Sequence, residues 1–422
     1  MKLQTLAKTD SKKVMLVIYY VLLALTGIIP SQLLALLFLV ISILLLPYEE
    51  FICLFPGALV YYSQFIVPVI NLSFYRVYTM LLFLKLLYIL IDAKLKIKTD
   101  IFLIFVPLFL HAVLSVCVAN VRTGIFYVFD LIIMVCFFSI GIIREEQMKR
   151  VLSLFVIAFA LSILSGVILG NYMDLSYELD DSWEYVKRFK GTFVDPNYCG
   201  FMYTFSIAYC LCLKPFKAWQ RISLIAVLIL GIIMTISFSS YISLAAMCFL
   251  YAVLYKKIKF KTIGIMIIVF MALIPLYIYG INNPDVPIVG DVLYRIQSYT
   301  SDTTMAESRS NIWKTVYAAF ENQNIFKQLF GMNAHAPVLD LNAGVLIPAH
   351  NDYIEMLYNC GWILTIAFYF GVFGRAFAHY RKFRYNNDEM AGFVVLSKLL
   401  WLVFSFALSM ISEKVFMPIL FL

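Results

Sequence analysis

Long apolar runs separated by short polar or basic breaks recur along the whole chain. They fall at about residues 14–29, 31–47, 51–70, 74–92, 101–119, 122–143 and 151–170, then 197–214, 222–238, 240–255 and 262–280, and finally 351–374 and 391–411. A membrane-spanning helix takes about 17–25 apolar residues. Outer-membrane-type strand alternation is not seen, so helices must satisfy the backbone inside hydrocarbon. The pattern predicts an all-α, polytopic integral membrane helix bundle of about 12–14 transmembrane helices. The run after Lys12 and Lys13 reads as a retained first span rather than a signal peptide, because another run follows at once.

Two larger polar segments interrupt this pattern, residues 171–196 and 281–349. The second is much longer than a usual helix connection, which points to a functional or separately structured loop. Within it, Ile312, Val316 and Phe320 repeat every fourth residue among Arg309, Lys314 and Glu321. That spacing predicts a short helix over about 307–323 lying along the membrane interface. No internal repeat, low-complexity tract or linker divides the chain, so residues 1–422 read as a single membrane domain carrying both loops.

Composition strengthens the membrane reading, with 63% hydrophobic and only 14% charged residues. The net charge of +8 does not gather on a patch with interleaved aromatics, so no nucleic-acid partner is expected. Most of the Lys and Arg fall instead in the short loops Lys94–Lys98, Arg144–Arg150, Lys214–Arg221, Lys256–Lys261 and Arg375–Arg384. A cytoplasmic N-terminus places all of these inside, as the positive-inside rule requires, and leaves residues 171–196 and 281–349 outside. The chemistry is therefore expected on the extracytoplasmic face. Eight cysteines lie in or beside apolar runs without ligand spacing that involves histidine, so neither a disulfide framework nor a metal site is expected.

Three places could carry chemistry. The first is Arg188 to Tyr198, where Asp195-Pro196 is a helix-start signal with Asp195 as cap. With Lys187, Arg188 and Lys190 just upstream, that helix start suits a phosphate, or the bases touch lipid headgroups. Asp195 reads as a cap rather than a catalytic acid. The second is Arg309, a bidentate phosphate ligand by chemistry, or an ion-pair partner of Glu307; Arg295, Arg122 and Lys314 are weaker candidates. The third is His350, where the large loop re-enters the membrane, as a general base or as a capping or interfacial histidine. His335 shares the outer loop, while His111 lies mid-span and His379 falls in a basic inner loop. If the run from Asp352 is one helix, Asp352, Glu355, Asn359 and Trp362 share a face that should look into a bundle interior or a wet cavity.

At these residues the sequence resembles the O-antigen ligase and polymerase superfamily. His350, Asn351 and Gly361 meet its pattern of His, then Asn, Ser or Gln, then nine residues, then Gly. Gly191-Thr192-Phe193 with Asp195-Pro196-Asn197 looks like its other common element, and Arg309 to Trp313 and Leu329-Phe330-Gly331 look like further features. The resemblance implies an inverting, metal-independent glycosyl transfer from an undecaprenyl-diphosphate-linked oligosaccharide, with no cofactor. It implies His350 as base, and Arg188 and Arg309, with Lys190 and Lys187 nearby, on the diphosphate. Asn351, Asp352, Glu355, Gly361, Asp195 and Asn197 would support the site. The expected partners are lipid-linked donor and acceptor glycans, membrane lipids, a chain-length regulator and a flippase, in a bacterial cytoplasmic membrane.

The sequence departs from the family in two places. Trp362 stands where many members have a second glycine, and Ser237 to Tyr241 lacks the arginine that members often carry there. Abundant Lys, Ile, Tyr and Phe with little Ala and Gly lean toward a polymerase of surface-polysaccharide repeat units over an O-antigen ligase. A lipid-linked oligosaccharide transporter is the rival of another class. Neither inverted repeats nor matching broken helices are seen for it.

Overall fold

The computed structural model describes residues 14–25, 31–62, 66–67, 72–92, 101–118, 121–139, 145–179, 182–255, 303–331, 338–339, 346–347, 349–408, 410 and 416–422. The expected span at 262–280, His335 and Arg295 lie outside them, as do the side chains of Arg122 and Arg309. Helices dominate, and most begin and end close to the apolar runs that predict them. Among the described residues, Glu145–Ile168 and Asp352–Asn386 are long and apolar enough to cross a membrane, and Ala218–Met234 and Phe238–Leu254 are shorter apolar helices. Large apolar side chains stand exposed along several helices, among them Leu37 and Leu44, Ile222 and Leu230, and Ile366 and Phe370. A water-soluble surface rarely carries such contiguous apolar faces.

The chain forms two compact units, each built from separate stretches. The first comprises residues 1–98, 133–173 and 189–231. Its centre is the buried helix Phe55–Val60, which packs against Glu145–Ile168 and Phe74–Asp92. Tyrosines satisfy the carbonyls of the broken stretch before it: Tyr19 donates to Leu54 O, Tyr20 to Cys53 O and Tyr78 to Phe51 O, each at 3.0 Å. Pro196–Leu213 lies beside Glu145–Ile168 and is buried along nearly its whole length.

The single span expected at 51–70 is corrected here. The helix ends at Val60, and Ile66–Val67 pairs antiparallel with Leu72–Ser73. Ser63, Gln64 and Pro68 interrupt the apolar run, and β-branched Ile66 and Val67 favour extended backbone.

The second unit comprises residues 99–132, 174–188 and 232–422. Asp352–Asn386 is its axis and packs against Phe102–Val118, Glu389–Phe404 and the outer-loop helices Thr303–Glu321 and Ile325–Phe330. Phe238–Leu254 packs on Glu389–Phe404. The closing helix Met417–Phe421 is buried, with Lys398 Nζ donating to Ile419 O and Leu420 O, and Arg375 Nη2 to Leu422 O. Cations at carbonyl-rich helix ends are electrostatically favourable.

The all-α expectation also needs amendment at residues 171–196. Tyr172–Leu179 and Ser182–Phe189 are strands paired in one sheet. Met173, Leu175, Tyr177 and Leu179 alternate with Asp174, Ser176 and Glu178, a period of two that suits a strand.

Candidate functional site

The outer-loop helix forms as its spacing predicts, over Thr303–Glu321. Val316 and Phe320 are buried and Ile312 partly so, while Lys314 is exposed. Val316 meets Ala349, with Ile312, Ile354 and Tyr358 packed around them. Trp313 Nε1 donates to Ala349 O at 2.9 Å. The helix that carries Arg309 is thereby tied to the residue immediately before His350.

His350 itself is half-buried and holds φ at +50°, the left-handed region that side chains rarely adopt. Such a conformation costs about 1–3 kcal/mol and persists where its surroundings enforce it. Here those surroundings are the clamped Ala349 on one side and the start of Asp352–Asn386 on the other. The cap of that helix is Asn351, whose Oδ1 accepts from Tyr353 N at 3.0 Å and Ile354 N at 3.2 Å. His350 is therefore not the capping residue, one of the two bland readings open from the sequence.

Asp352 is 1% exposed, and its carboxylate is tied to the end of Glu389–Phe404. Oδ1 accepts from Met410 N at 2.7 Å, Oδ2 accepts from Ser405 Oγ at 3.1 Å, and its own N–H donates to Ser405 O at 2.8 Å. Asn351 Nδ2 reaches Phe406 O, and Tyr353 Oη donates to Leu402 O at 2.8 Å while its ring lies 4.5 Å from that of Phe406. A buried carboxylate is tolerable only with such charge-assisted bonds.

Gly361 breaks this helix, with φ +68° and ψ 178°. A Cβ there would come within 2.5 Å of Gly331 N, and a Cβ at Gly331 within 2.2 Å of Asn359 O. Two backbones cross at a distance only glycines permit, which docks the end of the outer-loop helix pair onto the break. Thr365 Oγ1 donates to Met356 O across the break at 3.0 Å. The expected four-residue polar face is corrected accordingly. Asp352, Glu355 and Asn359 are buried, but Trp362, past the break, is 44% exposed and turns its ring toward Phe320.

The other expected residues divide between the units. Lys187 is exposed and Arg188 buried at the end of the second strand, and Arg188 Nε donates to Thr235 O at 3.3 Å. Lys190, Asp195 and Asn197 belong to the first unit. There Asp195 caps Pro196–Leu213, accepting from Asn197 N at 2.6 Å. Thr192 Oγ1 donates to Val60 O at 2.7 Å and Asn171 Nδ2 to Gly191 O at 3.0 Å, so this loop is structurally fastened.

Sequence reasoning missed Ser405, Met410 and the role of Gly331. The run at 391–411 reads as one span, yet its helix ends at Phe404 and turns to meet Asp352. Nothing in local spacing signals that. Gly331 was legible only as part of a short motif.

Residues 223–369 match the O-antigen ligase family. The matched stretch contains Thr235, the Arg309 helix, Gly331, His350 and Gly361, and it bears out the resemblance to the O-antigen ligase and polymerase superfamily. No curated protein gives a significant match to the chain. The family match supports an O-antigen ligase or polymerase type of function.

Proposed function

We propose that this chain polymerises lipid-linked oligosaccharide repeat units of a surface polysaccharide on the outer face of a bacterial cytoplasmic membrane, through about 12–14 spans. The observation that carries the reading is His350, held at φ +50° between a residue clamped to the Arg309 helix and a helix start whose cap is Asn351. His350 takes the proton of the acceptor hydroxyl as that oxygen bonds to the anomeric carbon of the donor. The bond from that carbon to the diphosphate oxygen breaks, its electron pair leaves with undecaprenyl diphosphate, and the configuration inverts. Arg188 and Arg309, with Lys187 and Lys190 nearby, offset the charge that develops on the leaving group. Guanidinium groups at the diphosphate can fill the role a divalent cation has in other transferases.

The name of the matched family favours one second reading, a ligase that moves the same glycan to another acceptor. Surface-glycan gels from a deletion strain separate the two. Rescue by wild type should restore a ladder, and His350→Ala at equal abundance should leave only single repeat units attached. Long chains left on their lipid carrier in the deletion would establish the ligase, and full rescue by His350→Ala would remove the proposed base.

A further inference from the structure

Asp352–Asn386 has 35 residues, more than one span needs, and it does not run straight. In a straight helix Met356 and Thr365 would stand about 14 Å apart along the axis, and Tyr353 and Tyr369 about 24 Å. Instead Thr365 Oγ1 bonds Met356 O, and the two tyrosine rings stack with centroids 4.8 Å apart. Both pairs centre on Gly361, where φ of +68° turns the chain back. The element is therefore a hairpin, with a short arm from Asp352 to Cys360 and a long arm from Trp362 to Asn386.

The long arm carries a measure of the bilayer. Trp362, Ile366, Phe370, Phe373 and Phe377 recur at three- and four-residue intervals and all stand exposed, while Leu364, Phe368 and Val372 on the opposite face are buried. Exposed Tyr380 and Tyr385, with exposed Arg381, Lys382 and Arg384, end the stripe. Aromatic and basic residues of this kind mark an edge of the hydrocarbon. Trp362 to Tyr380 is about 27 Å of helix, close to the ~30 Å core of a bilayer. The turn at Gly361 accordingly lies at the opposite edge.

Ile325–Phe330 docks at that turn, where Gly331 and Gly361 cross. For a helix in water it is inside out. Gln328 Nε2 folds back onto Glu321 O and Gln323 O at 2.8 and 3.0 Å, while Ile325 is 69% and Phe326 54% exposed. The Phe326 and Phe330 rings lie 5.0 Å apart, and exposed Phe330 and Trp362 each adjoin a crossing glycine. An apolar surface thus runs from the outer-loop helix onto a stripe as long as a bilayer is thick. Lipid sets that length, which makes acyl chains, rather than a second copy, the partner that fits.

We propose that Ile325, Phe326, Phe330 and Trp362 form a foot seated among the acyl chains of the outer leaflet, just under the headgroups, with the hairpin turn at the hydrocarbon edge. The short arm then starts below that edge, since Tyr353 stacks beside Tyr369, about 10 Å down the long arm from Trp362. His350 and buried Asp352 belong to a re-entrant loop. Non-helical backbone at that depth is tolerated where protein encloses it, and Ala349 and Asn351 are buried as this requires. That the leaflet is the outer one, and that an acceptor meets His350 at this depth, rest on the glycosyl-transfer reading above; the seat in lipid does not.

The test uses the unmodified full chain in nanodiscs of phosphatidylcholine that carries a photoactivated diazirine, either near the glycerol or at the end of the acyl chain. Labelled peptides are mapped by mass spectrometry. The shallow probe should label residues 325–330 and 362–363, and the deep probe residues 370–373. In Phe326→Ser/Phe330→Ser the shallow label should fall several-fold at 325–330 and persist at 362–363. A parallel sample is oxidised by hydroxyl radicals from water, which should spare Phe326 and Phe330. Shallow labelling of 362–363 with none at 325–330, together with oxidation of Phe326, would overturn the foot. Protection of 325–330 from both reagents would put protein there instead, a second copy included, and would overturn it equally. Labelling is the whole readout, so a chain without transferase activity would give the same result.

Discussion

At Asp195 the cap carboxylate serves its own helix, accepting from Asn197 N two residues ahead. At Asp352, one residue past the cap, the carboxylate instead serves a different element, through Ser405 Oγ and Met410 N more than fifty residues away. Both helix starts follow a bent loop, and both carry short motifs that resemble those of one superfamily. The first is a local solution to the orphan amides of a helix end. The second spends a buried charge, a left-handed histidine and a glycine crossing on fixing where one loop enters the fold. Strain and buried charge gathered without a local need are what motivate the proposed site at His350.

The contrast should break first at the histidine. His350→Ala should lower glycan transfer at least about 100-fold, the usual range for a general base, with protein abundance in membranes unchanged. Next comes the crossing. Gly361→Ala must either shift the Leu329–Gly331 backbone or abandon φ +68°, and should cost about 3 kcal/mol, read as a drop in melting temperature together with lost transfer. Asp352→Ala strands the Met410 N–H and frees the turn after Phe404, for about 2 kcal/mol and faster amide exchange at residues 405–408. Asp195→Ala removes a single cap bond and should cost about 1 kcal/mol, seen in melting temperature alone. If Asp195→Ala proved as damaging to transfer as Asp352→Ala, the distinction between the two helix starts would fail.

What could be read from the sequence follows what is local. Apolar runs gave most helix positions, the four-residue spacing of Ile312, Val316 and Phe320 gave the outer-loop helix, and Asp195-Pro196 gave a cap that forms as expected. The alternation from Met173 to Leu179 is equally local, but it lies in a short polar segment between apolar runs, where it does not stand out from a loop. The break at Gly361 and the ties from Asp352 to Ser405 and Met410 were not legible, since each depends on backbone brought close from far along the chain. A single glycine in an apolar run carries no sign of whether another backbone will cross it. Arg188 shows the same limit from the other side. Its charge was evident, but its burial against Thr235 was not.

The measurement that bears most directly on the account is transfer by the purified full chain in nanodiscs with a defined undecaprenyl-diphosphate-linked repeat unit, comparing wild type with His350→Ala at matched donor retention. The account predicts longer lipid-linked oligosaccharides and released undecaprenyl diphosphate from wild type. It predicts neither from His350→Ala, although that variant still retains donor. Turnover by His350→Ala at the wild-type rate would contradict it.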